Sequence, residues 1–236
     1  MNVIIHGEDK RLRVLARRLE SADRNVSARL ARYAEIHLCP IPTRTLPEVL
    51  TPTGREGRLL IGYGLPTECA RVAERYLDLE CDEIFLEENA RLTALGTVGH
   101  LLMHNDRALC DLAIGVIGYG RIGRRLVRYL SYLGAHVTVY SSRAVVLPRA
   151  AHLVQVDWST PADASIYARL DVLINTAPTP FLIGQIPCEV VDLASGAYVP
   201  EQIAHTKLPS LPARLYHESA GFACYRAVVR NLVNTR

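Results

Sequence analysis

The chain has 236 residues, a formal net charge of +3, and 49% hydrophobic against 22% charged residues, the balance of a folded globular protein with one large or two small domains. No apolar run reaches the roughly 18 to 20 residues that a bilayer-spanning helix needs, and "MNVIIHGEDKRLR" turns charged too soon for a signal-peptide core, so a cytoplasmic protein without membrane contact is expected. Three Phe and one Trp give little surface for base stacking and the arginines form no concentrated stripe, so nucleic acid is not an expected partner.

In chain order, "NVIIHG" reads as a short buried strand and "EDKRLRVLARRLESA" as a helix. "AEIHLCP" follows as a strand, then a loop rich in Pro and Thr. "RLLIGYG" is a further strand, "PTECARVAERYLDLE" a helix with Pro66 in its first turn, and "DEIFLEE" one more strand. This alternation predicts a small α/β unit with a parallel sheet. "NARLTALGTVGHLLMHNDRAL" is predicted as one long helix with Asn89 as its N-cap. Gly96 and Gly99 lower its intrinsic propensity, and their expected use is close packing against another helix. A second series follows: strand "LAIGVIG", helix "RIGRRLVRYLSYLG", then strands "HVTVYSS", "AHLVQV", "DVLINTA" and "CEVVDLA". The tail "ESAGFACYRAVVRNLV" is a final helix with apolar positions Phe222, Ala223, Val228, Val229 and Leu232. The long helix is its expected neighbour. Domain boundaries are placed at 1–88 with 217–236, and at 89–216.

Residues 115 to 125, "GVIGYGRIGRR", hold Gly118, Gly120 and Gly123 in G-x-G-x-x-G spacing between a buried strand and a helix. Gly118 permits the tight turn, Gly120 admits a pyrophosphate to the backbone, and Gly123 lets helix and strand pack closely. The helix start adds free N–H groups and the positive dipole end. A dinucleotide is therefore expected here, on Gly118, Tyr119, Gly120, Arg121, Ile122 and Gly123. NAD enzymes usually place an acidic residue about 20 positions on for the ribose hydroxyls, yet no Asp or Glu occurs from Leu112 through Val156. The next strand ends instead in Ser141, Ser142 and Arg143. Hydroxyls and a guanidinium suit a 2′-phosphate, so NADP is expected, with NAD as the alternative.

From Glu88 onward the chain resembles the dipicolinate synthase A-subunit family, nicotinamide-dependent enzymes of spore formation that work with a flavoprotein-like B subunit. The resemblance rests on "LTALGTVGHLLMHND", "IGVIGYGRIGRRLVRYLSYLGAHVTVYSSR", "LDVLINTAP", "VVDLAS" and "LPSLPARLYHESAG", in that order. It implies a doubly wound Rossmann domain, a small flavodoxin-like N-terminal domain completed by the C-terminal helix, and an oxidoreductase acting on a small carboxylate-bearing molecule. It also implies that Asn175, Thr176, Ala177 and Pro178 lie beside the nicotinamide ribose, with Leu193, Ala194 and Ser195 near the ring. A flavoprotein-like partner and a homodimer are the protein partners it suggests. Asp192 reads equally as a loop anchor or a functional residue.

The substrate side departs from the family. "DLAS" runs into "GAYVPEQIAHTKLP" without the family's Pro-Gly-Gly loop and further helix, Ser210 and Ala213 stand for two of its glycines, and Leu95 for its acidic residue. A dinucleotide-binding partner without turnover is therefore the alternative function. D-2-hydroxyacid dehydrogenases share the long helix and "G-x-G-R-I-G", but their catalytic Arg has no counterpart in "VVDLASGAYV", so their chemistry is not expected. Arg214, His217 and Ser219 are the substrate-side candidates, with Glu218 and Arg91 behind them, and no catalytic base is assigned. No metal site is expected: His100 and His104 have no third ligand nearby, and Cys39, Cys69, Cys81, Cys110, Cys188 and Cys224 form no C-x-x-C pair and read as buried, reduced thiols.

Overall fold

The computed structural model describes residues 2–157, 164–178 and 186–233; the last three positions of the predicted C-terminal segment lie outside them. The chain divides into two compact units, residues 1–89 with 212–236 (unit 1) and residues 90–211 (unit 2).

Unit 1 contains a parallel sheet of β1 (Asn2–Ile5), β2 (Glu35–Leu38), β3 (Arg58–Gly62) and β4 (Arg75–Asp78), neighbouring one another in chain order. Between β1 and β2 run α1 (Lys10–Glu20) and α2 (Arg24–Leu30). Each starts at an aspartate whose carboxylate accepts from the first turn: Asp9 from the Arg11 N–H, and Asp23 from the Asn25 and Val26 N–H groups, the N-cap arrangement that satisfies otherwise unbonded donors. The helix expected over "PTECARVAERYLDLE" is reduced to α3 (Cys69–Val72), because its second half pairs with β3 as β4.

The predicted strand "DEIFLEE" is a helix. It forms the first turns of α4 (Glu83–His104), so Asn89 lies inside this helix rather than capping it. Asp82 supplies the cap, its Oδ1 accepting from the Phe85 N–H at 2.8 Å. Arg230 donates to both oxygens of the same carboxylate, and the Asn231 amide to one. Burial opposes ionisation of Asp82, but these donors outweigh it and hold its pKa below the usual carboxylate range. A group with a depressed folded pKa stabilises above its unfolded value, near 4, and loses that contribution as pH falls through the folded value. Asp82→Ala is expected to cost about 2 kcal/mol at neutral pH, the difference shrinking towards zero in strong acid; urea titrations across that range measure it.

The last helix, α7 (His217–Val233), follows the short α6 (Leu211–Leu215) and packs on α1 and α2. Ala223, Cys224, Ala227, Val228 and Leu232 share one core with Leu12, Leu15, Leu19 and Leu30. A Cβ on Gly221 would lie 2.5 Å from Val14 Cβ and 2.7 Å from the Arg11 carbonyl oxygen, so this glycine sets how closely the two helices cross. That is the close approach expected of Gly96 and Gly99, yet a Cβ at Gly99 meets nothing within 4 Å. Phe222, expected on the buried side, is 38% exposed and lies between the guanidinium groups of Arg18 and Arg226.

Among its described residues unit 2 holds six parallel strands: β5 (Ala113–Ile117), β6 (His136–Ser141), β7 (Ala151–Gln155), β8 (Val172–Asn175), β9 (Glu189–Asp192) and the two-residue β10 (Thr206–Lys207). Their order, β10-β9-β8-β5-β6-β7, is that of a doubly wound dinucleotide-binding sheet, and it reverses between β5 and β8. Strand alternation divides the core. Ile114, Val116, Val137, Val139, Val172 and Ile174 face one side with α4 and α5 (Arg121–Tyr132), while Ile117, Tyr140, Leu173 and Val190 face the other with Tyr167. Within α5, Leu126 and Leu130 are fully buried, whereas Leu133, its C-cap residue, is 46% exposed.

Candidate functional site

Crevices at the carboxyl ends of such a sheet, where the strand order reverses, are where ligands bind, and the glycine turn between β5 and α5 lies there. Gly118 has φ +89° and a Cβ on it would come within 2.9 Å of Thr176 Oγ1, so both backbone conformation and neighbour demand glycine. At Gly123 a Cβ would fall 2.3 Å from the Gly118 carbonyl oxygen; here glycine permits the contact of helix and turn. Gly120 differs: its φ is −76° and nothing lies within 4 Å of a Cβ built on it. The protein leaves this space open above an α5 N-terminus that has no side-chain cap. Uncapped N–H groups, the positive end of a twelve-residue helix and open room together suit a pyrophosphate. Arg121 is exposed and Ile122 half-buried at this helix start. Tyr119 turns away, its hydroxyl donating to the Val146 carbonyl.

At the end of β6, Ser141 is 6% exposed and its Oγ accepts from the Arg143 N–H. That hydroxyl shapes the loop. Ser142 and Arg143 are exposed, and the Arg143 guanidinium has no ion pair among the described residues.

The ends of β8 and β9 are tied together by a buried polar pair. Asn175 and Asp192 are 2% and 1% exposed, and the Asn175 amide donates to Asp192 Oδ1 at 2.9 Å. Asn175 Oδ1 accepts from the Ala177 N–H and Asp192 Oδ1 from the Ala194 N–H. Thr176 Oγ1 donates to the Ile117 carbonyl. Both loops are thus fixed against the glycine turn, with Pro178 and Ser195 exposed and Leu193 buried. Asp192 Oδ2 has no hydrogen-bond partner among the described residues, and Lys207 Nζ is 3.8 Å from it while donating to the Gly196 carbonyl. Lys207 was not singled out by sequence; it reaches this place through the pairing of β10 with β9. Residues 196–205, where the sequence departs from the family's pattern, run as turns and irregular chain. Burial pushes the Cys188 thiol up to about 11, so it is no nucleophile near neutral pH.

The substrate-side candidates Arg214, His217 and Ser219 belong to unit 1. Arg214 and Ser219 are exposed, His217 is half-buried, and Glu218 pairs with Arg17 at 2.6 Å. His100 and His104 stack with ring centroids 4.1 Å apart, and no group of three or more potential metal ligands occurs among the described residues. Of the cysteines, Cys81 and Cys110 are exposed rather than buried, and no described helix is long and apolar enough to cross a membrane.

No family model matches the chain, and no curated protein matches it. Solved structures do. The A subunit of dipicolinate synthase from Bacillus halodurans aligns over 99% of this chain and 98% of its own, with a TM-score of 0.77 at 20% identity. Its counterpart from Bacillus subtilis aligns over 99% and 96%, with a TM-score of 0.67 at 16% identity. A D-isomer specific 2-hydroxyacid dehydrogenase from Lactobacillus delbrueckii ssp. bulgaricus, solved in an NAD complexed form, aligns over 98% and 96%, with a TM-score of 0.52 at 10% identity. The chain has the fold of the dipicolinate synthase A chain, which it shares with the D-2-hydroxyacid dehydrogenases.

Proposed function

We propose that this protein is a nicotinamide-dinucleotide-dependent oxidoreductase that prefers NADP and acts on a small carboxylate-bearing molecule. The observation that carries this is the uncapped start of α5 beside the open space at Gly120, in a sheet of dinucleotide-binding order. The residues present fit the group. The first N–H groups of α5 would take the pyrophosphate, and the loops after Asn175 and Asp192, locked by their mutual hydrogen bond, would form the nicotinamide side. Bound there, the nicotinamide supplies hydride transfer, while this chain's own residues bind and orient. Preference for NADP is supported by Arg143, exposed and without an ion pair among the described residues at the end of β6, and by the lack of any carboxylate from Leu112 through Val156.

Two measurements test this. Calorimetric titration with NADPH and NADH should show binding of both, NADPH the tighter; no affinity for either removes the proposal. NADPH should also raise the melting temperature more than NADH at equal concentration, by mass action on the folded state, and Arg143→Ala should shrink that difference. A larger shift with NADH would assign the ribose end to NAD. The helix-free segment 196–205 favours a second reading, a dinucleotide-binding partner without turnover. It would show as tight NADPH binding with no oxidation of the cofactor by any carbonyl or imine carboxylate offered.

A further inference from the structure

Strand register lines up the last residues of four neighbouring strands in unit 2. Ile117 of β5 lies beside Asn175 of β8, Asn175 beside Asp192 of β9, and Asp192 beside Lys207 of β10. This row begins one residue before Gly118 and follows the carboxyl edge of one half of the sheet. A doubly wound sheet is built from two mononucleotide-binding halves. The half β5-β6-β7, with Ser142 and Arg143 at the end of β6, would take the adenosine end of a dinucleotide. That leaves β8-β9-β10 for the nicotinamide. β9 stands two strands from β5, about 10 Å, comparable to the reach of a ribose and a nicotinamide ring from a pyrophosphate at α5.

Asp192 is too buried to meet a ligand, but it fixes a group that can. The Asn175 amide and the Ala194 N–H hold its Oδ1, which sets the direction of Oδ2. The Lys207 ammonium, 3.8 Å from Oδ2, compensates the charge. A buried carboxylate without a cation is costly, so Asp192 keeps Lys207 at the end of β9. Lys207 Nζ donates to the Gly196 carbonyl at 2.7 Å. Gly196 is fixed in turn, since a Cβ there would fall 2.4 Å from the Tyr198 ring. An ammonium has three N–H groups and a carbonyl two lone pairs, and 3.8 Å is too long for a hydrogen bond. Among the described residues, Lys207 therefore keeps N–H groups to offer and Gly196 keeps a lone pair. The Lys207 side chain is 40% exposed. A donor beside an acceptor matches a carboxamide, which presents one oxygen and one NH2. A carboxylate would set an oxygen against the Gly196 carbonyl.

We propose, resting on the dinucleotide reading above, that Lys207 and the Gly196 carbonyl bind the carboxamide of the nicotinamide. Lys207 donates to the carboxamide oxygen, the Gly196 carbonyl accepts from its NH2, and Asp192 is the positioning residue that holds the ammonium in place. This contact fixes the rotation of the ring and so the face it presents for hydride transfer.

Calorimetry with NADPH and with 2′-phospho-ADP-ribose, which lacks the nicotinamide, tests the contact; NADH and ADP-ribose form the parallel pair. Lys207→Met should weaken NADPH about tenfold or more, the loss of a hydrogen bond to a charged group. It should leave 2′-phospho-ADP-ribose at wild-type affinity. The single variant should also melt lower, because the buried Asp192 carboxylate loses its cation. Lys207→Met with Asp192→Asn removes both charges; it should recover melting temperature and keep the selective loss of NADPH. Unchanged NADPH affinity in the two variants, or equal loss of both ligands in the double variant, would overturn the contact. A wild-type protein that binds neither NADPH nor NADH is a different result, which removes the dinucleotide reading and this contact with it.

Discussion

Gly120→Asp should abolish dinucleotide binding and leave the melting temperature where it is. The two halves of this expectation have different causes. A side chain at position 120 meets nothing within 4 Å, and φ of −76° is open to any residue, so the folded protein has no steric reason to notice the change. Aspartate is moreover a good N-cap residue and suits the start of α5. The pyrophosphate would meet the new carboxylate at close range. Two unit charges 4 Å apart repel by about 4 kcal/mol at an effective dielectric near 20, which corresponds to roughly a thousandfold in affinity. Gly123→Ala provides the contrast, because its Cβ would fall 2.3 Å from the Gly118 carbonyl. It should lower the melting temperature as well as the affinity. Calorimetry and thermal melts on the two variants separate the cases. Wild-type affinity in Gly120→Asp would mean that no phosphate lies at this turn.

The second large effect is structural. Gly221→Val would put a side chain 2.5 Å from Val14 Cβ and 2.7 Å from the backbone oxygen of Arg11. A backbone oxygen cannot rotate away, so α1 and α7 must separate. Overpacking of this kind costs about 3 kcal/mol, on the order of 10 °C in melting temperature for a chain of this size. Deleting residues 217–236 goes further. It takes Ala223, Cys224, Ala227, Val228 and Leu232 out of the core of unit 1, and it removes the carbonyls to which Arg29 and Arg75 donate at the end of α7. The truncated chain should be insoluble, or compact with dye-accessible apolar surface and no near-ultraviolet circular dichroism. A truncated chain that stays monomeric and melts like the full-length protein would show that α7 is dispensable.

What could be read without coordinates was local. The three glycines between β5 and α5 have roles set by backbone geometry within a few residues of each, so their spacing and the apolar run before them pointed to the turn and to the parallel sheet of unit 2. Continuous apolar strands such as "VLIN" and "EVVD" are legible for the same reason: a strand covered on both faces has no polar alternation to confuse it.

Local signals also misled. "DEIFLEE" is a short apolar run bounded by acids, which a buried strand and a helix share, but Asp82 caps it as a helix and is held by Arg230 and Asn231 from the far end of the chain. "GFACYR" gives no hint that Phe222 lies outside between two arginines while Gly221 faces α1. Lys207 reads as one surface lysine until β10 pairs with β9 and brings it to 3.8 Å from Asp192. His217 lies some two hundred positions from Val14, and the two line one groove only when α7 docks beside α1. Amino-acid order by itself determined the strand, turn and helix that suit a dinucleotide, because φ, close backbone approach and apolar periodicity are short-range properties. Tertiary structure alone decided which caps, cations and buried polar atoms share a site, because those contacts join residues whose separation along the chain leaves no trace in any local pattern.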